Sequence, residues 1–192
     1  MRRNRPNTVR VIGGRWRSRI VAFADAGVRP TPDRVRETLF NWLGQTLSGC
    51  DCLDLFAGSG ALGFEAASRG AQSVVMVEKH PQVLRSLRES ARALGAANVR
   101  LVPGDALEFL RDPGARFDVV FLDPPYRLGL AEKALELLPR ALAPHGRVYV
   151  EDDAPIAPPP GWTVLRRGRA GQVHYHLLGR EPDDQGGLPG NV

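Results

Sequence analysis

A glycine-rich turn between an apolar run and a helical pattern constrains this chain more than any other stretch: Leu53-Asp54-Leu55-Phe56-Ala57-Gly58-Ser59-Gly60-Ala61-Leu62-Gly63. Gly58, Gly60 and Gly63 fit G-x-G-x-x-G, in which missing Cβ atoms let backbone approach a ligand and let a helix sit against a sheet. Twenty residues past Gly58, Glu78 closes the apolar run Ser73–Val77. An acid at that place takes hydrogen bonds from ribose hydroxyls. The unit describes a dinucleotide dehydrogenase as well as a methyltransferase, so it constrains the fold more tightly than the nucleoside.

From residue 50 onward strand and helix patterns alternate. Strands are expected near 51–56, 73–78, 98–102, 117–122 and 146–151, and helices near 59–69, 80–95, 105–111 and 128–143. Repeated βα units imply an α/β fold, a doubly wound and mostly parallel sheet with its ligands at the carboxyl ends of the strands. The glycine loop, Glu78, Gly104-Asp105-Ala106 and Asp123 would then share one sheet edge. Asp105 is placed to accept a bond from an amino group such as that of an adenine, and equally to cap the helix that follows it.

Upstream, Val9–Ile12 and Arg19–Phe23 flank Gly13-Gly14-Arg15-Trp16-Arg17 and predict a hairpin with a basic turn. Thr31-Pro32-Asp33 reads as a helix start, with Thr31 as N-cap and Pro32 at the first position. Val35, Leu39, Trp42, Leu43 and Leu47 give that helix one buried face. Pro155–Gly161 predicts an extended connection, and Trp162–Arg167 with Gln172–Leu178 a closing antiparallel hairpin. The expected organisation is a basic extension over 1–48, a catalytic domain over 49–179 and a disordered tail over 180–192, whose polar content cannot support a core.

The chemistry is carried by Asp123-Pro124-Pro125-Tyr126, which follows the apolar run Val119–Leu122. Two successive prolines make a rigid loop without backbone donors and hold the preceding residue extended. A carboxylate, a row of carbonyls and an aromatic face remain, an acceptor array for an exocyclic amine beside a stacking platform. A flat nitrogenous base flipped out of its stack suits such a pocket.

Charge adds a partner. Residues 1–40 hold ten arginines against three acids, a net of +7 in a chain of +5 overall. A basic arm on a near-neutral body fits a polyanion held through its phosphates, and Arg15, Arg17, Arg19 and Arg29 are the candidate contacts. Genome composition explains arginine over lysine but not the clustering. No apolar run approaches the length of a membrane span, and Arg2-Arg3 has no apolar segment behind it, so a cytoplasmic protein without a membrane partner is expected. Cys50 and Cys52, spaced C-x-C without a neighbouring histidine, read as reduced residues at the edge of the core and not as a zinc site; no metal is expected.

The run Val28-Arg29-Pro30-Thr31-Pro32-Asp33-Arg34-Val35-Arg36-Glu37-Thr38-Leu39-Phe40-Asn41-Trp42-Leu43 resembles the opening signature of the RsmD family. These are S-adenosylmethionine-dependent methyltransferases of the guanine N2 in 16S ribosomal RNA. The resemblance continues through Leu53–Glu65, Asp123–Tyr126 and Ala170-Gly171-Gln172-Val173-His174-Tyr175, covering roughly residues 9–178. It implies a Rossmann-like class I methyltransferase domain in which the stretch Asp54 to Gly60, including Phe56 and Gly58, holds the methionine end of the cofactor. Glu78 would then hold the ribose, and Asp105 with Ala106 the adenine. Asp123, Pro124, Pro125 and Tyr126 would form the target-base site. The implied partner is 16S rRNA of the small ribosomal subunit; separately from the resemblance, a monomer is expected. A second reading keeps the pocket but methylates adenine N6 in DNA or RNA, or a glutamine amide in a protein. A nicotinamide oxidoreductase or nucleotide-binding module leaves Asp123–Tyr126 without a use.

Overall fold

The computed structural model describes residues 7–24, 27, 30–126 and 128–180. The chain opens with the expected hairpin, β1 (Asn7–Arg10) antiparallel to β2 (Ile20–Phe23), closed by a tight helical turn at Gly14–Trp16. Helix α1 (Asp33–Trp42) follows. Five parallel strands come next: β3 (Asp51–Asp54), β4 (Ser73–Glu78), β5 (Val99–Pro103), β6 (Phe117–Leu122) and β7 (Leu142–Asp152). The closing hairpin of β8 (Trp162–Ala170) and β9 (Val173–Arg180) joins the same sheet through β9, antiparallel to β7. The spatial order is β5-β4-β3-β6-β7-β9-β8. The chain therefore runs outward from β3 to β5, then returns to lay β6 on the other side of β3. The crevice of such a sheet opens where the order reverses, between the carboxyl ends of β3 and β6.

One face of the sheet carries α1, α2 (Ala61–Ser68) and α3 (Pro81–Leu94), packed on Val74, Met76, Val119, Phe121 and Tyr149. The other carries α4 (Ala106–Arg111) and α5 (Leu130–Leu137), packed on Leu53, Val75, Val120, Val148 and Val150. The alternation along each strand is what divides its side chains between the two cores. Helix α3 buries Val83, Leu84, Leu87 and Leu94 along one stripe and faces water elsewhere, whereas α2 is buried at every position. The N-terminal extension explains the difference: it lies over α2 as a further layer, so that helix has a core on both sides.

Four expectations need correction. The long helix over 128–143 stops at Leu137 and passes into a single tight turn, Leu138–Arg140, because Pro139 cannot donate to the helical ladder. Strand β7 consequently begins at Leu142. Thr31 does not cap α1: Pro32 occupies that position without a side-chain bond, and the Thr31 hydroxyl is turned to another partner. Arg180, expected in the tail, is the last residue of β9, while 181–192 lie outside the described residues. Finally, Cys50 and Cys52 are fully buried in the core rather than at its edge, and burial pushes the Cys50 thiol up to about 11. The Pro155–Gly161 connection contains no helix or strand, closes in a turn at Pro160–Gly161 and packs Ile156 on the second core. Among the described residues no helix is long and apolar enough to cross a membrane.

Candidate active site

The carboxyl ends of β3, β4, β5, β6 and β7, together with the loop before α1, line one cleft of about 700 Å³. Asp54 ends β3 and is buried; its Oδ2 accepts from the Gly63 amide at 2.9 Å. A Cβ at Gly63 would stand 2.9 Å from that oxygen and from Met76, so the third motif glycine serves the seating of α2 on the sheet. Burial pushes the Asp54 carboxyl up to about 7, against the Gly63 bond, with the charge of Glu78 adding to the rise. The turn between them runs at positive φ through Gly58 (49°) and Gly60 (77°), and Phe56, Ala57, Gly58 and Ser59 form the floor of the cleft.

Glu78, at the end of β4, faces this turn. One carboxylate oxygen accepts from the Gly58 amide at 3.0 Å and the other from the His80 amide at 2.7 Å. Each oxygen keeps an unshared lone pair, and the two together present the paired acceptors that a vicinal diol needs. Asp105 fulfils its local role as N-cap of α4, accepting from Leu107 (2.9 Å) and Glu108 (3.3 Å) through Oδ1 alone. Its second oxygen and the buried Ala106 complete that wall. The donor set fits S-adenosylmethionine in kind: acceptors for the ribose, acceptors for an amine, an apolar floor and carboxylates around a cationic centre. Glu78→Ala is expected to weaken its binding by about 1.5–3 kcal/mol, the scale of a hydrogen bond with a charged partner, as calorimetry would measure.

Asp123 follows β6 at the switch point. It is half-buried, and Thr31 Oγ1 donates to its Oδ2 at 3.3 Å. Burial, then the charges of Glu151 and Asp54, push the Asp123 carboxyl well up, while the Thr31 bond opposes the rise. Glu151, on β7, is buried; Tyr149 donates its phenolic hydrogen to Glu151 Oε1 at 2.9 Å. Burial also pushes Glu151 up, against the hydrogen bonds of Thr31 and Tyr149. Thr31 thus stands between two carboxyls with a single hydroxyl proton. That one hydrogen serves a single acceptor at a time, and in this structure it is given to Asp123. Pro124 is buried beside them, Pro125 is exposed, and Tyr126 stands at the mouth with 37% of its surface open.

The structure brings Asp54, Phe56, Gly58, Glu78, Asp105, Ala106, Asp123, Pro124, Pro125 and Tyr126 to this one cleft. Gly60 stands just behind it, under Phe64 and Leu87. The basic arm is divided. Arg15 stacks its guanidinium over Trp16 at 4.2 Å and donates to Asn98 Oδ1 at 2.7 Å, and Arg19 donates to the Ala93 carbonyl at 3.4 Å. Asn98 precedes β5 and Ala93 ends α3, so these two arginines occupy the amino edge of the sheet, opposite the cleft. Arg17 is exposed within the same turn. Arg29 lies outside the described residues. Arg36, counted among the arm's charges, is buried in an ion network instead.

Thr31, Tyr149 and Glu151 are site residues that the sequence does not single out. Glu151 carries the same signal as Glu78, an acid closing an apolar run, here Val148–Val150. Thr31 reads as a helix cap, and nothing local distinguishes a capping hydroxyl from one turned toward a distant carboxylate.

Residues 9–179 match the family model described as "Conserved hypothetical protein 95". The chain is 44% identical over 180 residues to "Ribosomal RNA small subunit methyltransferase D" of Escherichia coli strain K12, covering 90% of each protein. It is 42% identical to the protein of the same name from Haemophilus influenzae, covering 91% of this chain and 95% of that one. Among solved structures, "Putative methyltransferase yhhF from Escherichia coli" superposes with a TM-score of 0.83 at 44% identity, over 91% of this chain and 99% of that one. The sheet order, the cleft at its switch point and these similarities agree on a Rossmann-like methyltransferase fold, and the chain belongs to the RsmD family, the ribosomal RNA small subunit methyltransferases D.

Proposed function

We propose that this protein transfers the methyl group of S-adenosylmethionine to the exocyclic N2 of a guanine in 16S rRNA of the small ribosomal subunit, acting as a cytoplasmic monomer. The observation that supports it best is the rigid Asp123–Tyr126 loop facing the Glu78 and Asp105 walls across one cleft. When bound, the cofactor supplies an electrophilic methyl group on a sulfonium. The chain's own residues do the rest. Guanine N2 is a weak nucleophile because its lone pair is delocalised into the ring. Asp123 Oδ and the Pro124 carbonyl, accepting its two hydrogens, hold the nitrogen in place and favour its pyramidal form. Positioning of this kind lowers the barrier without an added reagent. Tyr126 stacks on the base, whose flipped state costs unstacking energy.

Once the nitrogen has gained a methyl group it must lose one proton. Asp123 is suited to take it, because burial and the neighbouring carboxylates raise its proton affinity. Thr31, which donates to Asp123 Oδ2, links it to Glu151 behind it. The acid lining of the cleft also complements a cationic cofactor.

Nucleoside mass spectrometry of 16S RNA tests the reading. RNA from a strain lacking the protein is expected to lack N2-methylguanosine at one position and to regain it with purified protein and cofactor. Appearance of N6-methyladenosine in its place would favour the adenine reading.

A further inference from the structure

The cleft is acidic. Asp54, Glu78, Asp105, Asp123 and Glu151 line it, and its basic lining residues, Lys79 and His80, stand on the β4 flank. Such a pocket admits a base but repels the phosphates attached to it, so the backbone needs cations at the rim. The arginines of the first hairpin are at the other end of the sheet. On the opposite flank of the cleft lies the free edge of the sheet, strand β8. It carries Arg166, Arg167 and Arg169, all exposed, and among the described residues none of them has an acidic partner.

Register aims this edge. Arg169 pairs with His174 and Arg167 with His176, so these four side chains share one face of the hairpin; Arg166, opposite Leu177, faces the other way. The next pair, Ala170 with Val173, ends the hairpin at the cleft: Val173, on the Arg166 face, is itself a lining residue, so the edge reaches the cleft with arginines on both of its faces. Arg166 donates to the Leu165 carbonyl and Arg169 to the Gly171 carbonyl, both at 2.8 Å, which orients each guanidinium and leaves several N–H groups unspent. The local positive field is felt by His176, whose pKa is lowered by burial and then by His174 and Arg167. Its Nδ1 is buried without a hydrogen-bond partner.

We infer that the β8 edge, with Arg167, Arg169 and His174 on one face and Arg166 on the other, is a docking strip for the sugar–phosphate backbone of the RNA strand whose base enters the Asp123 cleft. The inference rests on the methyltransferase reading above. Arginines at i and i+2 of a strand stand about 6.7 Å apart on one side, a step that follows successive phosphates rather than a single anion. The strip reads no sequence; it fixes the register of the strand against the pocket. Charged side chains on a free edge also block strand-to-strand aggregation, a role for which any charge serves.

The test uses the full-length protein and small subunits from a strain lacking it. Replacement of Arg166, Arg167 and Arg169 together by Gln is expected to weaken subunit binding about tenfold or more at physiological salt. It should also flatten the log–log salt dependence by about 0.7 for each phosphate that the strip no longer neutralises. Affinity for S-adenosylmethionine and the rate at saturating subunit should stay at wild-type values, so KM moves and kcat does not. The triple Lys variant should keep most of the salt slope. Unchanged affinity and slope in the Gln variant would overturn the inference, and self-association alone would leave the arginines as edge protection. Wild-type protein that neither binds nor methylates the subunit would instead remove the methyltransferase reading itself.

Discussion

Replacing Asp123 by Ala is expected to lower single-turnover methyl transfer by about 100-fold or more while leaving cofactor affinity near that of the wild type, as expected for loss of one preorganised hydrogen-bonding group at the reacting centre. The walls proposed to hold the cofactor, Glu78 and Asp105, belong to β4 and the loop after β5, on the other side of β3 from Asp123, so the two measurements separate. The pH dependence carries the sign. Asp123 can take the released proton, and is the stronger acceptor, only when ionised, and its carboxyl is pushed up by burial, Glu151 and Asp54. The rate of the chemical step should therefore rise with pH through that raised value and level off above it. Glu151→Gln removes the nearest like charge, lowers the Asp123 pKa and moves the acid limb of the profile to lower pH. An Asp123→Ala enzyme with undiminished single-turnover rate would refute the role assigned to this carboxylate. An unmoved acid limb in Glu151→Gln would detach Glu151 from it.

Stability of the ligand-free protein should respond to pH in the opposite sense. Asp54 titrates near 7 in the folded chain because of its burial, far above an exposed aspartate. Its contribution is fully present below the unfolded value and is lost as pH rises through about 7. Part of the fold's stability is thus given up to keep carboxylates dry and close together where a cation and an amine are to be received.

What can be seen in the sequence follows from how far each signal reaches. Apolar runs closed by Glu78 and Asp123 locate strands and site together, because a strand that ends in the crevice places its next residue there. The glycine loop is legible for the same reason: its geometry is local. Signals that depend on distant partners are not. Arg36 looks like one more charge of a basic arm, and only the packing of the hairpin over α2 shows it buried. Arg15 and Arg19 look like a grip on the substrate, yet the hairpin sets them against Asn98 and the end of α3, away from the cleft. Glu151 obeys the rule that finds Glu78, but the apolar run of β7 draws attention to the strand and not to the acid that closes it. The edge arginines of β8 are invisible as a group until register assigns Arg167 and Arg169 to one face.

Glu65→Ala should cost about 3–5 kcal/mol of folding stability, the scale of a buried ion pair broken on one side. Glu65 is fully buried in the middle of α2, and four donors converge on its carboxylate: the amides of Ile12 and Gly13, each at 2.8 Å, Arg69 Nε at 2.8 Å and Arg36 at 3.2 Å. It is the anchor by which the hairpin is held over the catalytic sheet. The hairpin's tolerance is small, since Gly14 runs at φ 72° and a Cβ there would overlap the Ser68 carbonyl. Arg36 is 1% exposed, and without Glu65 its charge would keep only Asp33 as an ionic partner. The loss should reach the active site too, because Arg36 Nε also donates to the Thr31 carbonyl at 3.2 Å, and Thr31 is the residue that holds Asp123. Chemical denaturation with single-turnover kinetics would show both effects. Arg10→Ala, which removes an exposed ion pair with Asp33, should cost no more than about 1 kcal/mol and serves as the control. A double variant, Glu65→Leu with Arg36→Met, should recover only part of the loss. It removes the Arg36 charge, but Arg69 loses its carboxylate partner and the amides of Ile12 and Gly13 still lack an acceptor. Full recovery would mean that the ion pair alone matters; a Glu65→Ala protein as stable as the Arg10→Ala control would mean that the hairpin is held by its apolar packing and not by this carboxylate.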